Sequence, residues 1–515
     1  MSSVENTRIA KNTAFLYMRM LLLFVVNFYT TRVLLHELGV DDFGLFNVVA
    51  GFVTMLGFMN QSMTNSIQRF FNYQMGLHDK GNLKLYFEVS LSVQLIIGLI
   101  IVFILETFGL WFLNNKMTIP INRYTDANVI YQLSCISLLV SVIRTPYNAL
   151  IIAKEKMNFY AYISIVEAVF KLAIAFLIGI VSCYKLSFYA SGILLISLLC
   201  LIAEIIYVKV IEPLLKLRLN WSKAVFKEIF SFSGWNLFGT ASGMAKSQGI
   251  NVLMNLFFNV TINAARGVAF QVLSGIQQFV SNFQSAINPQ VVQSYANDNR
   301  ERYLFLTYAS AKISIFMMWI ITLPVIICIN EVLSIWLGDG MVPPYTSEFV
   351  IIILLTGLFD SLGSSLSTSI YATGKIKTYQ IVVSSIKIMV LPISYLLYKA
   401  GYAPASSMYV SLCLAAFEQF MRVRIWSKLV NEKSTNYLRI IIVPSLIVIV
   451  SSFLLSYFIT DMVKVDSRGL SLLIKGGITT IIGLSLIFYM GLNSEERDRI
   501  LVMIKQKIIT KIVTK

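Results

Sequence analysis

Apolar runs of around 20 residues, separated by short polar stretches, recur along the chain from Asn12 onward, the pattern of membrane-crossing helices. They predict spans over 12–36, 44–66, 85–110, 128–152, 160–181, 186–208, 229–257, 262–288, 305–328, 347–371, 379–398, 405–426, 439–459 and 470–491. The connections are short, and no soluble domain of useful size fits between them. The run 229–257 is the most broken, because Ser, Gly, Asn and Lys interrupt it. The polar start from Met1 to Lys11 leads into the first run without a small-residue cleavage site, which predicts a retained helix and not a signal peptide.

Polar residues inside the runs are not scattered. At 100° per residue, Asn12, Arg19, Asn27 and Thr30 of the first segment fall within a sector of about 80°. The second segment gathers Asn47, Gly51, Thr54, Gln61, Asn65 and Gln68 on one side, and the seventh gathers Asn236, Thr240, Gly243, Ser247 and Asn251, with Lys246 at the edge. The eighth aligns Asn263, Ser274, Gln278, Ser281, Ser285 and Asn288, flanked by Gln271 and Gln277, with Arg266 near one end. Any one such stripe can be helix–helix glue. Four of them, on corresponding segments, predict a hydrated cavity, because a continuous polar face is costly in lipid unless it meets water or protein.

Composition agrees with a bilayer as solvent. The 515 residues are 57% hydrophobic and only 13% charged, against roughly 25% charged in a soluble domain. The formal charge is +16, and its placement speaks against nucleic acid. One set of alternate loops, including both termini, holds about 27 Lys and Arg, and the other set about six, the asymmetry that places the first set in the cytoplasm. About nine further basic residues lie inside the spans. Segments one, two, seven and eight contain Arg19, Arg32, Lys246 and Arg266 and no carboxylate, which points to an anionic ligand. Arg suits phosphate because its fork donates two hydrogen bonds. Arg32 projects away from its stripe and can snorkel to the headgroups.

Displaced by 220 residues, the first two segments overlie the seventh and eighth without a gap: Val40 falls on Val260, and Asn65 to Gln68 on Ser285 to Asn288. Both copies start on the same side, so the predicted fold is an all-α polytopic membrane protein of about 14 helices. Its two six-helix lobes, 1–215 and 216–430, are related by a pseudo-two-fold axis along the membrane normal, with two added helices and a basic tail in 431–515. Glu167/Lys171 and Glu418/Arg422 are spaced to pair on one helix face, and Pro146 predicts a kink after Arg144. Lys312, Lys387 and Asp360 have no partner at such spacing and form a second tier, Asp360 being the candidate for ion coupling.

No P-loop, nucleophile elbow, HExxH or Gly-rich nucleotide loop occurs. The five cysteines show no CxxC spacing, and His36 and His78 are far apart, so no disulfide framework, metal site or cofactor is expected. The only acidic cluster at the expected outer face is His36, Glu37, Asp41 and Asp42, in a loop too short for a lipid-linked glycosyltransferase or polymerase.

The stretch Arg8-Ile9-Ala10-Lys11-Asn12-Thr13, followed by Leu38-Gly39-Val40-Asp41-Asp42-Phe43-Gly44-Leu45, resembles the polysaccharide (O-antigen type) flippases of the multidrug/oligosaccharidyl-lipid/polysaccharide exporter superfamily. The resemblance implies a two-lobed transporter with a central cationic cavity lined by helices one, two, seven and eight. It further implies alternating access that carries undecaprenyl-diphosphate-linked oligosaccharide to the outer leaflet of a bacterial cytoplasmic membrane. On that reading Arg19 and Lys246, with Arg266, hold the diphosphate. Asn12, Asn27, Gln61, Asn65, Asn236, Ser247, Asn251, Gln278, Ser281 and Asn288 serve the sugar hydroxyls. Membrane lipids and other polysaccharide assembly proteins are the partners it allows. The rival readings are an ion-coupled drug or cation antiporter of the same superfamily, a membrane glycosyltransferase, and a scramblase or scaffold.

Overall fold

A bilayer offers no water to backbone amides, so a chain this apolar has to satisfy them within its own helices. In the computed structural model, which describes residues 3–498 except 55–56, 78–79, 116–122, 182–183, 214, 216–217, 259, 339–341, 464, 466 and 495, helix is the only regular secondary structure among the described residues. Ser3–Thr54 (α1) and Phe58–Gly76 (α2) precede Lys80–Ile104 (α3), the short Leu110–Asn115 (α4), Tyr124–Ala153 (α5), Met157–Leu177 (α6) and Lys185–Ile211 (α7). Lys223–Phe257 (α8) and Val260–Ala296 (α9) lead to Arg300–Ile327 (α10), the short Ile329–Leu337 (α11), Thr346–Ala372 (α12), Lys377–Lys399 (α13) and Ser406–Val430 (α14). Ser434–Tyr437 (α15), Val443–Met462 (α16) and Arg468–Leu486 (α17) follow.

Helix lies at every predicted segment, but among the described residues ten helices are long and apolar enough to cross a membrane by themselves. The stretch from Gly39 to Gly76, α8, α9 and α14 fall outside that set. Their polar and charged side chains dilute the apolar runs, and three of the four are segments that carry the stripes. The count of 14 spans therefore rests on helices whose polar faces need protein or water beside them.

Two compact units divide the chain, one formed by 1–241 with 285–303, the other by 242–284 with 304–515. In the first, α5 packs on α1, α2, α3 and α7, and α1 lies along α6. Ile130, Tyr131 and Val142 of α5, with Val49 and Val53 of α1, are fully buried in its core. In the second, α12 and α13 pack on α14, and Gly249 of α8 meets Leu391 of α13 so closely that an added Cβ would lie 2.5 Å from Leu391 Cδ2. Trp319 of α10 donates to Ser452 of α16 at 2.8 Å. The packing order recurs: in each unit the fourth long helix packs on the sixth, α5 on α7 and α12 on α14, and the first meets the fifth, α1 on α6 and α8 on α13.

The break between the first and second predicted segments has a local cause. Gly39 has φ 77° and ψ 170°, a region open essentially to glycine alone, and it turns the chain inside what is otherwise one long helix. No heavy atom lies within 4 Å of a Cβ built there, so the constraint is the backbone and not crowding. Gly39→Ala is expected to destabilise by about 1–3 kcal/mol, whereas Gly44→Ala, at a helical glycine, should stabilise by about 0.5–1 kcal/mol. Thermal unfolding in detergent checks this; effects of the same sign would show that the turn is not constrained by Gly39.

Candidate functional site

Intramembrane charges are stable when paired and bonded, and breaking one partner away is expensive. The first unit pairs them fully around α5. Arg144 Nη2 donates to Glu204 Oε1 of α7 at 2.7 Å and lies 3.3 Å from Glu167 Oε2 of α6. Lys171 Nζ donates to the other Glu167 oxygen at 2.8 Å, as its four-residue spacing predicts. Glu204 has no solvent-exposed side-chain area and takes a further bond from Asn148. Two carboxylates and two cations thus balance.

The second unit closes most of the remaining pairs. Lys312, with no partner on its own helix, reaches Glu496 beyond α17 at 2.6 Å. Lys387 of α13 lies 3.8 Å from Glu418 of α14, which also pairs with Arg422 one turn on. The Arg422 guanidinium lies across Gly363 of α12, where any side chain would collide with it. Lys475 of α17 lies 3.6 Å from Glu331.

Of the cations that the sequence places on the striped segments, Arg19, Lys246 and Arg266 form no ion pair with a carboxylate among the described residues. Arg19 of α1 stacks over the Tyr160 ring at 4.6 Å, and its Nε is buried without a hydrogen bond. Lys246 of α8 is half-buried, forms no ion pair, and has Asp360, Glu418, Lys387 and Arg266 as its electrostatic neighbours. Arg266 of α9 is buried, donates through Nη1 to Asn251 of α8, and leaves Nε and Nη2 unbonded. Arg32 is exposed on α1, as a snorkelling side chain would be. Asp360 is half-buried on α12 and forms no ion pair among the described residues.

The polar stripes divide into two kinds. Asn27, Asn65, Gln278 and Ser281 are exposed on their helices, and Ser247 and Asn288 are half-buried. The Asn288 Oδ1 is enclosed without a partner. Others are committed to packing. Asn236 donates to the Ser62 carbonyl at 2.9 Å and to Ser66 at 3.2 Å, joining α8 to α2. Asn12 donates to Glu155 at 3.5 Å, and Glu155 also takes Arg8 at 2.7 Å and Gln290. Asn251 holds Gln248 and Arg266. The side chain of Gln61, like those of Asn47 and Thr54, lies outside the described residues. In the expected outer acidic cluster, Asp42 is taken by Arg123 at 2.9 Å and Glu37 by its neighbour His36; the side chain of Asp41 lies outside the described residues, as does all of His78.

One polar centre lay beyond the sequence pattern. Gln284 Nε2 reaches Ser314 Oγ at 2.9 Å, the Ser361 carbonyl at 3.1 Å and Ser365 Oγ at 3.2 Å, while Ser364 donates to its Oε1 at 2.7 Å. This ladder ties α9 to α10 and α12. The four-residue spacing of Ser310 with Ser314 and of Ser361 with Ser365 was the available signal, and only packing shows that they meet.

Among solved structures, the chain is similar to an outward-facing multidrug resistance MATE family transporter of the MOP superfamily. The TM-score is 0.67 at 12% identity, over 83% of this chain and 99% of that one. It is similar to MATE in complex with MaD3S, with TM-score 0.68 at 12% identity over 82% and 97%. It is also similar to a MOP superfamily transporter from Pyrococcus furiosus, whose reverse-polarity binding pocket suggests a different function for that protein, with TM-score 0.68 at 12% identity over 82% and 96%. The MatE family model matches residues 250–396. A search of curated proteins finds no match. The chain is a multi-pass membrane protein with the fold of MATE transporters.

Pairing predicts different responses to substitution. Glu418→Ala leaves Lys387 and Arg422 without their carboxylate and should destabilise by about 3–5 kcal/mol. Lys246→Met removes a cation that forms no ion pair among the described residues and should raise the thermal midpoint. A Lys246→Met protein as unstable as Glu418→Ala would show that Lys246 is structural.

Proposed function

We propose that this protein is a flippase that moves an oligosaccharide linked to undecaprenyl diphosphate from the inner to the outer leaflet of a bacterial cytoplasmic membrane, by alternating access, for surface polysaccharide assembly. The observation that carries the proposal is the selective lack of pairing. Arg144, Lys171, Lys312, Lys387 and Lys475 all meet carboxylates, whereas Arg19, Lys246 and Arg266 do not. Lys246, Arg266 and Lys387 face two carboxylates, Asp360 and Glu418, and Glu418 is already paired with Arg422. The excess of positive charge complements the double negative charge of a diphosphate diester.

On this reading Lys246 takes the diphosphate in the second unit and Arg19 is the cation of the first unit that recognises the same anionic cargo. Exposed Asn27, Asn65, Gln278 and Ser281 offer donors and acceptors to sugar hydroxyls. The prenyl tail stays in lipid, and both termini face the cytoplasm. The fold supports transport as the class of activity, and the basic surplus supports an anionic cargo.

A second reading, an ion-coupled antiporter for drugs or cations, draws support from the multidrug transporter among the similar structures and from Asp360, half-buried without an ion pair among the described residues. It makes the carboxylate the essential group and the unpaired cations dispensable.

Expressed in a bacterium lacking its own polysaccharide flippase, the chain should restore surface glycan, and Arg19→Ala/Lys246→Ala should lose that activity at equal membrane abundance. Full activity in the double variant, with loss in Asp360→Asn, would replace the flippase reading by the antiporter.

A further inference from the structure

Arg266 is only 2% exposed. Its Nη1 is used by Asn251, while Nε and Nη2 are buried with no hydrogen-bond partner. Those two nitrogens share one edge of the guanidinium plane, and their parallel N–H bonds fit the two oxygens of a carboxylate or a phosphate. A buried Arg with that edge unmade is a poor structural element and a ready oxyanion site.

The surroundings narrow the ligand. Asn263, three residues earlier on α9, contributes a buried Oδ1 without a partner, an acceptor suited to a hydroxyl. Phe270, four residues later, lies over the guanidinium with its centroid 4.3 Å from Cζ. It is partly exposed and covers the face of the guanidinium, which leaves the in-plane edge to an oxyanion. Tyr398 of α13 is an electrostatic neighbour of Arg266, and its ring stands edge-on to Phe258 at 4.9 Å and tilted to Phe257 at 5.7 Å. An oxyanion fork, an amide acceptor and aromatic faces together suit an acidic sugar, whose ring has apolar faces, hydroxyl edges and a carboxylate.

The position fits as well. Asn251 lies five residues beyond Lys246 on α8, about 7.5 Å along the axis, so the Arg266 fork stands further along the helix than the cation assigned to the diphosphate. A sugar ring attached to a diphosphate at Lys246 can span that separation.

We infer that Arg266, Asn251, Asn263 and Phe270 form a second anion subsite that takes the carboxylate of an acidic, uronic-acid-type sugar near the diphosphate end of the cargo. The inference rests on the flippase reading and adds the glycan class to it. The same fork chemistry could be satisfied by the diphosphate itself, and the test separates the two sources.

The probes are two farnesyl-diphosphate-linked disaccharides that differ only in carrying glucuronic acid or glucose, titrated calorimetrically into the full-length protein in nanodiscs. Wild type should bind the acidic probe about tenfold more tightly. Arg266→Gln should bring the ratio close to one, and Arg266→Lys, which keeps the charge and loses the fork, should lose most of the preference. Lys246→Gln should weaken both probes and leave the ratio standing. Equal binding of both probes by wild type overturns the subsite and leaves the flippase reading intact. An equal loss on both probes in Arg266→Gln assigns the fork to the diphosphate and overturns it too. No binding of either probe overturns the flippase reading, and the subsite with it.

Discussion

A charge placed in hydrocarbon must be paired, hydrated or given a ligand, and that requirement organises this protein more than any single packing contact. Helices are brought together where carboxylates can meet cations: α5, α6 and α7 around Arg144, α13 and α14 around Glu418, and α10 with the segment after α17 through Lys312 and Glu496. Small residues make room for this. Gly363 allows Arg422 to lie flat across α12, so a glycine that would pass as helix filler is the reason a buried arginine can reach its partner.

Three cations on the striped segments depart from this pairing. Lys246 and Arg266 lack carboxylates in a unit that pairs its other intramembrane lysines, and Arg19 lacks one in a unit where Arg144 has two. Unpaired cations lower the stability of the protein that carries them, so their retention is best understood through an anion that arrives from outside. The proposed cargo supplies two: a diphosphate, and on the subsite inference a sugar carboxylate.

Some polar residues hold helices together and others are exposed, and the two uses involve the same residue types. Asn236 and Asn12 bind neighbouring backbone and side chains, while Asn27 and Asn65 remain exposed. α9 shows both within one helix. Gln284 ties it to α10 and α12, and six residues later Gln290 ties it to Glu155 in the α5–α6 connection. Pro289 lies between these anchors and removes a backbone hydrogen bond there. The chain of α9 passes from one compact unit to the other between Gln284 and Ser285.

Read alone, the sequence determined the helical class, the approximate position of most long helices and the division of basic residues between loops, because apolar run length and charge follow from the bilayer's thickness and dielectric; it misplaced the second, predicted over 44–66 and found as the end of α1 and α2 at Phe58–Gly76. It also singled out Arg19, Lys246 and Arg266, since the apolar spans that hold them, 12–36, 229–257 and 262–288, contain no carboxylate. It could not show which charges find partners on other helices. Lys312, Lys387 and Arg144 were indistinguishable in sequence from an unpaired cation until Glu496, Glu418 and Glu204 were brought beside them from 184, 31 and 60 residues away. Nor could helical periodicity reveal Gln284, which meets its serines across three helices. Pairing across helices is a property of packing, and only the tertiary structure decided which cations meet a carboxylate.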